Sequence, residues 1–389
     1  MSHDVVIVGG GAMGSSTAYR LMKADPSLSV VVVERDSSYA KASTILSDGN
    51  VRIQFNLEEN IRMSQYALEV LRTFDDDMAT SNFRPDVGAR HQGNLFLADE
   101  EGKSDALRGI ETQRSLGCEV AWLSAEEIAA RFPGLRLDGI VGGSFAQVDG
   151  SVDPSAVLRG FRNKAAELGA QYLDDEVVAL LSDDGAMTGT RLRSGDDLMS
   201  SVVVNCAGAW SADLAHRLGV ELPVIPLMRT VYVVSTTVPT AGMPSLFLPS
   251  GVYAIPESDH SWLIAWSLPE DPIGFDFMPA GQQRFTDLIW PELHAHLPVF
   301  DSLKVETSWA GVYDVNTMDG NAILGEWPRV RGLFLATGFS GHGFQQSPAV
   351  GRYLAELILG RNPTLDLSRL GGQRVLDHEP LYEHAGRLI

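Results

Sequence analysis

Gly9, Gly11 and Gly14 stand between the β-branched run Val5-Val6-Ile7-Val8 and a helical stretch that continues to Leu21. An unbroken Val/Ile run is what a strand buried on both faces requires. A second such run, Val30–Val33, leads directly into Glu34 and Arg35. In a G-x-G-x-x-G turn the first glycine permits the tight bend, the second lets a pyrophosphate approach the backbone, and the third lets helix and strand pack closely. The helix N-terminus at Ala12 and Met13 then presents unpaired N–H groups to a diphosphate. Glu34 can accept hydrogen bonds from a ribose. The pattern predicts a parallel sheet that binds a dinucleotide.

That motif serves NAD and FAD alike, and the far end of the chain separates them. Residues 332–343 read G-L-F-L-A-T-G-F-S-G-H-G and lead into a helix near Ser347-Pro348. A second strand–glycine-turn–helix unit, so distant in sequence, is what a long cofactor spanning a domain needs. A helix N-terminus aimed at the N1–C2=O edge of a flavin stabilises the anion formed on reduction. The hydrolase elbow G-x-S-x-G is rejected at 338–342, because His342 stands where its last glycine belongs.

The 389 residues suffice for two or three domains, or one interleaved pair, at roughly 150 residues each. Thirty Lys and Arg against 50 Asp and Glu leave a net charge of −20. Such a field argues against nucleic acid and membrane surfaces as partners. Cys118 and Cys206 allow one disulfide at most and no four-cysteine zinc site. His294, His296, His378 and His384 lack metal-ligand spacing, so no metal is expected. Neither a signal-peptide pattern nor an apolar run of about 18 residues is present, so the expected setting is the cytoplasm, without membrane insertion.

Asn56, with Glu59 three residues on, predicts an N-cap, and Asp153-Pro154 predicts another with proline at the first helical position. Strands are expected at 94–98, 177–181, 187–193 and 201–205. The stretch 220–303, rich in Pro, aromatic and β-branched residues, reads as mostly antiparallel sheet. The polar tail after Gly360 reads as wrapping the surface.

The two glycine turns, with Ala-Gly-Ala-Trp-Ser at 207–211 and Tyr313…Asp319-Gly320, resemble the D-amino acid oxidase / sarcosine oxidase (DAO) family of FAD-dependent oxidoreductases. The segment from Lys41 to Phe55 is most similar to its sarcosine and dimethylglycine dehydrogenase-like branch. The resemblance implies an α/β (α+β, two-domain) fold: a Rossmann-type FAD-binding domain of the glutathione-reductase-like class, and a substrate domain with a large antiparallel sheet. The FAD domain is expected from residues 1–80, 148–220 and 325–370, the substrate domain from 81–147 and 221–324, and a C-terminal tail from 371–389.

The same resemblance implies FAD contacts from Gly9, Gly11, Ala12, Met13, Gly14, Glu34 and Arg35, and from Ser43, Thr44, Leu46, Ser47 and Gly49. It adds Val177 at the adenine, Ala207 and Gly208 under the ribityl chain, and Gly338, Gly341, His342, Gly343 and Phe344 at the flavin ring. Gly311 and Leu46 stand where relatives carry a linking cysteine or histidine, so non-covalent FAD is expected. Arg52 is expected to hold a substrate carboxylate, with Tyr253, Tyr313 and Gln345 as donors and His342 beside the flavin. Trp266 is read as an aromatic wall or as core. Ile264 is taken to replace a lysine that promotes reaction with O2, which favours a dehydrogenase over an oxidase.

The expected reaction is oxidation of the C–N bond of a small carboxylated amine, an N-substituted glycine or a D-amino acid. Hydride passes to flavin N5, the resulting imine hydrolyses, and O2 or another acceptor takes the electrons. The alternatives are a flavin-containing assembly or interaction protein without amine turnover, and an NAD-dependent dehydrogenase.

Overall fold

The computed structural model of the chain describes residues 2–383. Val5–Val8 pairs in parallel with Val30–Glu34 on one side and Val203–Asn205 on the other, and all four of its residues are buried. Gln171–Asp174 and Leu333–Thr337 extend the sheet in parallel, and Ile323–Glu326 closes one edge antiparallel. Helix α1 (Ala12–Ala24) follows the first glycine turn, and α2 (Glu58–Arg72), α3 (Pro154–Glu167) and α4 (Gly343–Ile358) are grouped with it; α1 packs on α3 and α4, and α2 on α4. A Cβ on Gly14 would lie 1.9 Å from the Gly9 carbonyl oxygen. The third glycine is therefore what seats α1 on the first strand. Asp153 caps α3 through Ser155 and Ala156, with Pro154 at the first helical position.

The second sheet has eight strands, in the order Lys304–Asn316, Val224–Ser235, Ser261–Ala265, Tyr253–Ser258, Ser245–Phe247, Asn94–Ala98, Gly142–Ala146, Ala121–Ser124. Only the contact between Ser245–Phe247 and Asn94–Ala98 is parallel. Register places Val231, Ala265, Tyr253, Phe247 and Phe96 in one row. Side chains alternate along a strand, so this row faces one side while Tyr232, Ile264, Ala254, Leu246 and Leu95 face the other. The strands Val177–Asp183, Ala186–Leu192 and Asp197–Met199 form a separate antiparallel sheet.

Three expectations are corrected. The stretch 220–303 is not sheet to its end: from Gln282 to Ser302 it forms short helical segments. Phe285, Ile289, Leu293, Leu297 and Phe300 recur at helical spacing and are buried against the far face of the large sheet. Asn56 is not the cap of α2; Leu57 holds that position without a side-chain bond. The carboxylate of Glu383 instead accepts from the Asn56 and Leu57 N–H groups at 2.6 and 3.1 Å. The tail is not a surface wrap either. Leu367 and Leu370 are fully buried, and Arg374 forms a buried ion pair with Asp319. The part of the tail beyond 383, including His384, lies outside the described residues.

Candidate functional site

The carboxyl ends of the parallel strands and the Tyr253 face of the large sheet enclose a cavity of about 650 Å³. Open α/β sheets offer ligands such a crevice. Both α1 and α4 begin on it, at Gly11–Met13 and at Gly343–Gln345, and neither N-cap residue, Gly11 or His342, caps its helix through a side chain. Two sets of N–H groups and two positive dipole ends thus face one space. Thr44 Oγ1 accepts from Ala12 N at 3.2 Å, while Ser43 donates to the Val312 carbonyl.

At one end lie Gly9, Glu34, Arg35, Val177, Ala207 and Gly208. The Glu34 carboxylate accepts from Gly10 N at 2.7 Å and from Asp36 N at 3.0 Å, and burial pushes its pKa up. The Arg35 guanidinium lies 3.5 Å over the Trp210 ring, which stacks on Phe275.

Arg52, Tyr253, Tyr313, His342 and Gln345 meet at the other end, with Leu46, Ser47, Gly341 and Phe344 also in the wall. Three expected cofactor residues do not line the cavity: Gly14, Gly49 and Gly338. Gly14 seats α1; Gly49 has φ +73° and packs against the Val152 carbonyl; Gly338 N donates to Asp314 at 2.7 Å. They shape the site from behind. Trp266 does not line the cavity and packs against the core on the opposite face of the sheet. Ile264 points to that face too, so it cannot occupy the position expected of it; Leu263 and Ala265 face the cavity side.

Arg52 is buried, and its guanidinium meets the His342 ring at 3.5 Å and lies over the faces of Phe55 and Phe96. Among the described residues no carboxylate comes within 4 Å of it. Burial pushes the guanidinium pKa down, and the charges of Glu383, Asp149 and Asp48 act against that. Gln345 spends its carbonyl on the Arg52 N–H at 2.7 Å, so it positions the arginine's backbone. His342 is pushed down to about 3 by burial and by Arg52, and is therefore neutral. The Tyr253 hydroxyl donates to Asp48 at 2.8 Å, and burial raises both Tyr253 and Tyr313, the latter to about 12.

Sequence reasoning missed Asp48, Asp149 and Arg229. Asp48 sits inside the segment that carries the family resemblance and was passed over. Asp149 is fully buried and raised to about 7, bonded to Gln54 and the Ile53 N–H. Arg229 shares the pleat face of Val231, a signal of period two within the strand.

These residues fit a flavin dinucleotide. The cradle at Gly11 has no atom closer than 3.5 Å to a Cβ position, and at Gly208 none within 4 Å, so backbone is open to close approach. Glu34 at one end and the α4 N-terminus at the other suit ribose and flavin ring. Among the described residues, no group of three or more His, Cys, Asp or Glu could hold a metal ion, and no helix is long and apolar enough to cross a membrane.

Comparison with known proteins agrees with this geometry. The family model described as FAD dependent oxidoreductase (DAO) matches residues 4–357. FAD-dependent oxidoreductase domain-containing protein 1 of Xenopus laevis is 38% identical over 98% of this chain and 84% of its own length. Among solved structures, the L-proline dehydrogenase of P. horikoshii superposes with a TM-score of 0.86 at 25% identity, covering 98% of this chain and 99% of the other. The glycine oxidase of Geobacillus kaustophilus gives 0.82 at 25%, over 95% and 98%.

Proposed function

Because the chain belongs to the DAO family of FAD-dependent oxidoreductases, we propose that it oxidises the C–N bond of a small carboxylated amine. Family membership also decides for FAD against the nicotinamide alternative. The observation that carries the substrate class is the buried Arg52, which faces the cavity with no carboxylate partner among the described residues. A buried charge without a counter-ion is costly, and a substrate carboxylate supplies one.

Gly9, Gly11, Thr44, Glu34 and the N-terminus of α4 would hold FAD, which when bound supplies a two-electron acceptor for the substrate's α-hydrogen. The chain's own residues bind and orient. Arg52 takes the carboxylate, its guanidinium held by neutral His342 and its backbone by Gln345. Tyr253 and Tyr313 keep their protons at any physiological pH, since both are raised above the usual phenol value. They therefore act as neutral donors rather than bases. Asp48, bonded to Tyr253 and lining the cavity, would accept from a substrate ammonium, whose proton must leave before a C–H hydride can. Loss of that hydride leaves an imine, which water converts to a carbonyl compound and an amine.

The proposed setting is the cytoplasm, consistent with two free buried cysteines. The test is to mix the anaerobic holoprotein with N-methyl, N-carboxymethyl and D-amino acids and follow bleaching of the flavin. Bleaching by at least one carboxylated amine is expected. A flavin that stays oxidised with all of them overturns the reading.

A further inference from the structure

The cavity holds a second cationic centre that the carboxylate-binding role of Arg52 does not use. Arg229 lines it from the large sheet, and its Nη1 is spent on Asp271 and on the Leu268 carbonyl at 3.1 Å. Arg284 pairs with the other oxygen of the same carboxylate. The Asp271 side chain is 1% exposed, against 12% and 16% for the two arginines. One buried carboxylate thus faces two guanidiniums, which leaves one positive charge in excess. The Nε atoms of Arg229 and Arg284 are both buried without a partner among the described residues. In a chain of net charge −20, such an excess is local and built in.

Asp48 lines the same cavity, its Oδ2 accepting from Tyr253 and its Oδ1 from Asn50 N at 3.0 Å. Tyr313 lies within electrostatic reach of Asp48, Arg229 and Arg52 together, and Tyr253 within reach of Asp48 and Arg229.

We propose that the two cations and one anion that Arg52, Arg229 and Asp48 bring to this cavity select an amine flanked by two carboxylates, an N-carboxyalkyl amino acid. Such a molecule enters as minus–plus–minus: one carboxylate on Arg52, the ammonium on Asp48, the second carboxylate on Arg229. A monocarboxylate amine satisfies Arg52 and leaves the excess at Arg229 unmatched, at the cost of an uncompensated charge in a site of low dielectric. The inference rests on the amine-oxidation reading and narrows its substrate.

The experiment uses the FAD-loaded protein and two probes that share a glycine half, N-methylglycine and iminodiacetate. Their rates of anaerobic flavin reduction are compared at low concentration, and binding of thiodiacetate, in which sulfur replaces the amine, is followed by the shift it causes in the flavin spectrum. Iminodiacetate is expected to reduce the flavin about 100-fold more efficiently than N-methylglycine, as for a desolvated charge pair. Arg229→Gln should cut that ratio to less than about tenfold and weaken thiodiacetate by a similar factor. Arg229→Lys, which keeps a charge for Asp271, should fall between and guards against a folding defect in the first variant. Asp48→Asn should weaken iminodiacetate more than thiodiacetate, since only the former carries an ammonium. Equal reduction by both probes, or a ratio unmoved by Arg229→Gln, overturns the dicarboxylate inference and leaves amine oxidation standing. If no carboxylated amine binds or reduces the flavin, both fall together.

Discussion

The Arg52 guanidinium meets the imidazole of His342 at 3.5 Å, Nη2 to Nε2, and the imidazole is the acceptor. Arginine has no acceptor to offer, so Nε2 carries no proton and Nδ1 does. Neutral His342 is part of what aims the cation at the cavity.

His342 titrates near 3 in the folded protein. The pH dependence of flavin reduction should therefore show no histidine ionisation near the ordinary value of about 6.5. His342→Gln, which keeps an acceptor, should retain most substrate affinity. His342→Leu should raise KM about tenfold, the effect of one lost hydrogen bond to a charged group. A break near 6.5 that disappears in His342→Gln would contradict the assignment.

Arg52→Met should leave the bound flavin and its visible spectrum in place. Substrate affinity should fall by roughly 100-fold or more, as expected when one partner of a buried charge pair is removed. Because Arg52 touches no flavin-turn glycine by side chain, a colourless Arg52→Met protein would point to a structural role instead.

Asp149 is held at about 7 by burial, against an ordinary value of 3.8. Between those values the folded state binds more protons than the unfolded one, so stability falls as pH rises through the window. Asp314, raised to about 6 by burial, adds a shorter slope of the same sign. The melting temperature should thus drop from about pH 5 to pH 8. Asp149→Asn should flatten much of that drop. Stability that rises across the window would refute the buried, protonated carboxyl.

Cofactor retention is expected to depend on packing rather than on a covalent bond. Gly311 and Leu46, which line the cavity, have no side chain able to form a bond to flavin, and burial raises the Cys206 thiol to about 12, which keeps it from acting as a thiolate. Acid precipitation should leave the yellow colour in the supernatant. Gly14→Ala places a methyl 1.9 Å from the Gly9 carbonyl oxygen and should yield protein with little flavin. Flavin-to-protein absorbance ratios measure both.

Much of the dinucleotide end was legible without coordinates. The turn at Gly9–Gly14, the strand ending at Glu34, the cap at Asp153 and the turn before α4 are all local patterns. Their geometry follows from neighbours in the chain: buried β-branched runs, glycine where backbone must approach closely, and short polar side chains at helix starts. The family resemblance, rather than local chemistry, put Arg52 and His342 among the residues to watch.

The substrate end was decided by pairing between distant strands. Whether Ile264 or Ala265 faces the cavity depends on pleat parity, and a shift of one residue inverts every side chain. The same parity brings Arg229 onto the wall with Tyr253, and Asp271 and Arg284 arrive from later segments to set its charge. Glu383 reaches the start of α2 across more than 300 residues, where local spacing had pointed to Asn56. Sequence by itself determined the family fold and the two glycine turns that open on the cavity, because those rest on short-range sterics. Tertiary structure decided which charges line that cavity, because burial and long-range register set them.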